Sequence, residues 1–247
     1  MATFVLVHGA WHGGWCWAGT EAALRRAGHD VHSPTLTGLG ERSHLLTADI
    51  TADTHVLDIV NVLRWRELRD VILVGHSYGG LVVTGVASHM PERIRALVYL
   101  DAFVPEVSQD SVFGKANPER MAAFQKQIDA GAIGLEPDGA LESWTSDPNA
   151  RDWLQRQCTP HPPKTLQAGP ILTGQQSRIE HRHYILAAKN DPSAFQAEYR
   201  RLQSQQGWTF DSMPTWHDAM VEAPEDLAAR LDEYSAHLPD LSKEARI

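Results

Sequence analysis

The run Val71-Ile72-Leu73-Val74 is followed at once by Gly75-His76-Ser77-Tyr78-Gly79-Gly80. An unbroken apolar run suits a strand buried on both faces, and such strands belong to parallel sheets covered by helices. The apolar residues beyond the glycines predict a helix over Leu81–His89. A Gly-x-Ser-x-Gly between strand and helix forms a sharp turn. Its glycines let backbone approach backbone, and its serine is held in a strained conformation with the hydroxyl raised above the sheet. The turn has neither the lysine of a GxxxxGK[ST] loop nor a GxGxxG spacing, so a phosphate-binding loop is not indicated.

The flanking sequence alternates in the same way. Strands are predicted at Phe4–Val7, Val31–Leu36, Val71–Gly75, Ile94–Leu100, Tyr184–Ala188 and Trp208–Met213. Helices are predicted at Gly14–Ala27, Thr54–Arg66, Leu81–His89, Ser193–Gln205 and Pro224–His237, the second carrying Val56, Ile59, Val60 and Leu63 at helical spacing. The glycine-rich stretch Thr37-Gly38-Leu39-Gly40 reads as a loop. This order predicts an α/β fold, a mostly parallel sheet with helices on both faces. The alternation breaks over residues 105–178, where only Pro118–Ala130 reads as a helix. A structureless loop of that length is foreign to a compact domain, so the segment is expected to be an inserted helical cap on a core of residues 1–104 and 179–247.

With 247 residues, 43% of them hydrophobic, the chain can bury one large core. A formal charge of −9 and dispersed Lys and Arg argue against nucleic acid and anionic membranes as partners. Cys16 and Cys158 lie far apart without a metal-type spacing, so neither a disulfide framework nor a zinc site is expected. The first residues lead straight into a strand and no apolar run reaches bilayer length, which points to the cytoplasm.

A serine hydroxyl attacks a carbonyl only when a base takes its proton, and a carboxylate must orient that base. In this arrangement the chain order is serine, acid, histidine. His217, in Met213-Pro214-Thr215-Trp216-His217-Asp218, follows the last strand and is the expected base for Ser77. Asp191, in Lys189-Asn190-Asp191-Pro192, is the expected acid; it could also cap the following helix, and Asp101 at the end of the preceding strand competes for the role. His181 and His183 form an HxH pair, but no third ligand follows at a recognisable spacing, and no metal is expected. Fixed backbone N–H groups stabilise the oxyanion best. Tyr78, after the nucleophile, supplies one, and Ala10, in His8-Gly9-Ala10-Trp11-His12-Gly13-Gly14, is expected to supply the other. Trp11, Phe103, Trp144, Trp153 and Trp216 are the candidate walls of the substrate pocket.

The segments FVLVHGAWHGGWCW, PTLTGLGERSHLL, VILVGHSYGG and LVYLDAFVP resemble small α/β-hydrolases related to plant methyl-salicylate esterases and hydroxynitrile lyases, and especially their bacterial esterase relatives. The resemblance covers most of the chain outside the cap. It implies the α/β-hydrolase fold, a Ser-Asp/Glu-His triad, no cofactor, and a helical cap that shapes the pocket around a small-molecule ester or carbamate. A homodimer remains open as its oligomeric state. Hydroxynitrile lyases of this kind carry a threonine after the first-strand histidine and a lysine after the catalytic histidine; Gly9 and Asp218 stand there, so the charge that would stabilise departing cyanide is missing. The expected function is therefore a serine carboxylesterase, with a lyase or a non-catalytic small-ligand receptor as the alternatives. Because nucleophile and base act as a unit, Ser77→Ala and His217→Ala are each expected to lower kcat on p-nitrophenyl acetate by on the order of 10⁴ to 10⁶, with the double variant little worse. A Ser77→Ala protein that keeps a tenth of the activity would remove Ser77 from the mechanism.

Overall fold

The computed structural model describes residues 1–137 and 139–239. Strands β1 (Thr3–Val7), β2 (Asp30–His32), β3 (Val71–His76), β4 (Ile94–Leu100), β5 (His181–Ala187) and β6 (Trp208–Met213) form one parallel sheet in the order β2-β1-β3-β4-β5-β6. Val5 pairs with Leu73, Leu73 with Leu97, Val98 with His183, and Tyr184 with Phe210. The alternation of side chains splits the core in two. Phe4, Leu6, Ile72 and Val74 face α1 (Ala18–Arg26) and the C-terminal helix, with Leu24, Leu227 and Leu231. Val5, Val7 and Leu73 face α2 (Ala52–Trp65) and α3 (Gly79–His89), with Ile59, Leu63, Val82 and Val86.

Between β4 and β5 lie α4 (Val112–Ala116), α5 (Pro118–Asp129), α6 (Leu141–Trp144), α7 (Pro148–Gln157) and α8 (Pro163–Gln167). Beyond β5 come α9 (Ala194–Gln203), α10 (Ala219–Glu222) and α11 (Pro224–His237). The α/β architecture read from the sequence is the one observed. Within residues 105–178 only α5 was legible: α4, α6 and α8 are four or five residues long and carry too little apolar period to register, and α7, ten residues long, buries only Leu154.

Other departures lie at element ends. The strand expected over Val31–Leu36 stops at His32, since Pro34 has no N–H for the ladder. The helix expected from Gly14 opens as a 3₁₀ turn, Gly14–Trp17, packed so closely on the chain after β2 that a Cβ on Gly14 would lie 2.1 Å from the Ser33 carbonyl oxygen. Thr51 caps α2 in a reciprocal pair with Thr54 and starts that helix two residues early. β5 begins at His181 rather than Tyr184, because pairing on both sides and stacking on Tyr234 cover His183.

Chain order reverses at β1 and β3, which places a crevice outside the carboxyl ends of these adjacent strands. There α3 presses on the chain leaving β4: a Cβ on Gly80 would stand 2.1 Å from the Phe103 carbonyl oxygen. Gly80→Ala is expected to cost about 3 kcal/mol, as forced overpacking of rigid backbone does. Urea unfolding reads this as a lowered midpoint, and a loss below about 1 kcal/mol would show that the contact yields at little cost.

Candidate active site

Ser77 sits between β3 and α3 with φ +54°, the left-handed region that side chains seldom adopt. Its neighbours hold it there. The Ser77 N–H donates to the Leu100 carbonyl at 3.2 Å, and the Phe103 N–H donates to the Ser77 carbonyl at 3.2 Å. Glycine is required around it: a Cβ on Gly75 would meet the Gly79 carbonyl oxygen at 2.7 Å, and one on Gly79 the Val7 carbonyl oxygen at 2.6 Å. Gly9 lets the loop after β1 close on the elbow, since its Cβ would lie 2.9 Å from His76 Nδ1 and 3.0 Å from Ser77 Cβ.

His217 lies on the loop between β6 and α10 and lines the same cleft as Ser77. Its Nδ1 is 2.6 Å from Asp101 Oδ2, and both side chains are buried. Asp101 leaves the end of β4 with φ +41°. It also accepts the Ala187 N–H at 3.2 Å and the Asn190 side-chain amide at 3.1 Å. The expectation that Asp191 orients His217 is therefore corrected. Asp191 is exposed, while its neighbour Asn190 turns inward and bonds Asp101. The sequence pointed to the right loop, but its inward group is an amide that supports the carboxylate from β4. From below, the His76 Nε2–H donates to the His217 carbonyl at 3.1 Å, and Phe195 stacks parallel on the His217 ring at 4.7 Å.

Ala10 and Tyr78 line the cleft beside Ser77, and among the described residues neither N–H has a protein acceptor. Buried backbone donors are rarely left so, and a pair of them beside a serine hydroxyl can receive a negatively charged oxygen. Buried histidines surround them. His8 accepts the Leu36 N–H on Nε2 and donates from Nδ1 to the Gly9 carbonyl; burial pushes its pKa down to about 3, so it is neutral. His55 donates to the Thr37 carbonyl and accepts the Tyr78 hydroxyl, and burial takes it down to about 4. His12 differs. Its Nδ1 lies 2.7 Å from the Ala10 carbonyl oxygen and its Nε2 3.0 Å from Asp218 Oδ2, so both nitrogens face oxygen atoms, an arrangement that favours the protonated ring. Burial opposes that charge, but the Asp218 carboxylate outweighs it and raises the pKa above its ordinary value. Nitrogen and oxygen atoms of His76, His217 and Asp218 gather within 4.8 Å of one another, close enough to suit a metal ion. In each imidazole one nitrogen is already engaged, His217 Nδ1 with Asp101 and His76 Nε2 with the His217 carbonyl.

The cleft encloses about 420 Å³. Of the predicted walls, Trp11, Phe103 and Trp144 line it. Trp153 and Trp216 do not: Trp153 packs edge-on against Trp15 at 5.0 Å, and Trp216 sits on a loop whose N–H is tied to Glu222 at 2.9 Å. Phe195, Asn117 and Asn190 were missed as lining residues. Phe195 lies just inside α9, where Ser193 rather than Asp191 is the cap and accepts the Gln196 N–H; the helix was legible, but not the direction of the ring near its start. A larger hollow of about 760 Å³ lies between β5, β6 and α11, and no serine lines it.

The model of the alpha/beta hydrolase family matches residues 4–230. The carbendazim hydrolyzing esterase of Nocardioides sp. (strain SG-4G) is 44% identical over 238 residues, 94% of this chain and 98% of that protein. Salicylic acid-binding protein 2 of Nicotiana tabacum is 36% identical over 189 residues, 76% of this chain and 62% of that protein. Among solved structures, an extracellular alpha/beta-hydrolase from a Paenibacillus species superposes with TM-score 0.82 at 22% identity, over 95% of this chain and 99% of that one. The chain belongs to the alpha/beta hydrolase family. Within it, its kinship is with carboxylic ester hydrolases.

The acid is tested by exchange. If Asp101 orients His217, Asp101→Asn is expected to lower kcat by roughly 10⁴, while Asp191→Asn leaves it within a few-fold of the parent. Steady-state rates on one ester decide, and the opposite ranking returns the role to Asp191.

Proposed function

We propose that the protein is a serine carboxylesterase that cleaves a small, largely apolar ester or carbamate through an acyl-enzyme. Ser77 Oγ attacks the carbonyl carbon as His217 takes its proton, and Asp101 holds the His217 ring and balances the imidazolium that forms. The Ala10 and Tyr78 N–H groups receive the oxyanion. His217 then returns the proton to the leaving alcohol or amine, and a water activated by the same histidine releases the acid and restores Ser77.

The observation that carries this reading is the strained serine lining a cleft with aromatic walls, with the buried Asp101–His217 pair reaching the same cleft. The walls suit a flat substrate: Trp11, Phe103, Phe113, Trp144 and Phe195 supply ring surface, and Arg120, Asn117 and Ser143 add polar groups among them. The 44% identity to a carbendazim hydrolyzing esterase supports including carbamates.

The test combines a covalent probe with a substrate panel. A fluorophosphonate is expected to label the parent once per chain and leave Ser77→Ala unlabelled, and p-nitrophenyl butyrate is expected to turn over beyond a single burst. A binding protein on this fold would show no sustained turnover. Phe103→Ala and Trp144→Ala are expected to cost roughly 1–3 kcal/mol in kcat/KM on a bulky aryl ester or carbamate and little on the acetate. Trp153→Ala, outside the cleft, is expected to leave selectivity unchanged. Equal losses on both esters from the two wall variants would put selectivity elsewhere.

A further inference from the structure

We propose that His161 is a positioning residue of the oxyanion hole, and that the helical insertion completes the hole by holding the Trp11 N–H. This rests on the serine-hydrolase reading above. Trp11 follows Ala10 with φ +66°, a backbone conformation that a bulky residue keeps only where its surroundings over-determine it. The restraints come from the segment between β4 and β5. The Trp11 N–H donates to His161 Nδ1 at 3.2 Å, the Thr159 N–H donates to the Trp11 carbonyl at 3.0 Å, and the indole N–H donates to the Leu135 carbonyl at 2.7 Å. Leu135 and His161 exchange both backbone hydrogen bonds, at 2.9 and 2.8 Å, so the three anchors form one unit.

His161 is set for this role. Its Nε2–H donates to Thr165 Oγ1 at 2.7 Å, and that hydroxyl donates to the Pro162 carbonyl at 2.6 Å, so the Nδ1 lone pair is left for Trp11. The ring is wholly buried, with Trp11 at 5.6 Å on one side and Tyr78 edge-on at 4.9 Å. Burial takes its pKa well below the ordinary value and keeps the ring neutral.

In the two peptides that flank Ala10, three of the four polar groups are engaged. In the peptide between Gly9 and Ala10 the carbonyl takes His8; in the next, the carbonyl takes His12 and the N–H goes to His161. The exception is the Ala10 N–H, the proposed oxyanion donor. Turning either peptide would break these bonds. The direction of the Ala10 N–H is therefore set from the core by His8 and His12, and from the insertion by His161.

The test compares His161→Leu, which removes the acceptor at similar volume, with His161→Asn, whose Oδ1 can accept the same N–H. His161→Leu is expected to lower kcat about 10- to 100-fold, somewhat less than outright loss of an oxyanion donor. KM should move less than about threefold, and the factor should be the same for an acetate and a bulky aryl ester. An aryl trifluoromethyl ketone, whose adduct with Ser77 puts its oxyanion in the hole, should lose affinity by the same factor. His161→Asn should recover most of both. Three results would overturn the proposal: a His161→Leu protein with parental kcat, a loss confined to the bulky ester, or equal losses in Leu and Asn variants that track a lowered Tm. Failure of the underlying reading looks different, as a parent protein without Ser77-dependent turnover.

Discussion

The site depends on how closely the chain leaving β1 approaches the turn leaving β3. Parallel neighbours β1 and β3 bring Gly9 against His76 and Ser77, and Gly79 against the carbonyls of Val7 and His8. Side chains at these glycines would force the strand ends apart, and with them the two backbone donors that flank the serine. The strain at Ser77 persists because β4 grips the same residue, through Leu100 on its N–H and Phe103 on its carbonyl.

Once this contact is made, the space beneath it is dry, and backbone groups in a dry loop must be satisfied from within. The chain does this with histidine, a ring whose two nitrogens can each be donor or acceptor. His8, His55 and His161 are neutral there because burial disfavours their charged form. His12 is the exception, because Asp218 lies directly against it and favours the protonated ring. Removing one member of such a buried pair would leave its partner's charge or hydrogen bond uncompensated.

The acid illustrates a second constraint. A carboxylate that orients a histidine must be dry enough to hold its bond and must have its remaining oxygen positions filled. Asp101 meets both conditions at the end of β4, where the β5 backbone supplies the Ala187 N–H and the loop after β5 supplies Asn190. Asp191, one residue further along that loop, faces solvent. Phe195 from the same loop and helix covers the exposed face of His217, so the exit of β5 shields the dyad although the carboxylate comes from β4.

Local physics determined much of this from sequence alone. The apolar runs, the period of the helices and the crowding of glycines around Ser77 specify a parallel α/β sheet with an elbow at that serine, because each is a property of a few adjacent residues. The place of His217 was legible for a similar reason, on the loop after the last strand. The tertiary structure alone decided which carboxylate meets it, that Trp11 and Trp144 line the cleft while Trp153 and Trp216 turn away, and that His161 reaches back to the loop after β1. Those are contacts between residues up to 150 positions apart. Side-chain direction at a strand exit, or in a helix of four residues, is set by what packs against it rather than by its neighbours in the chain.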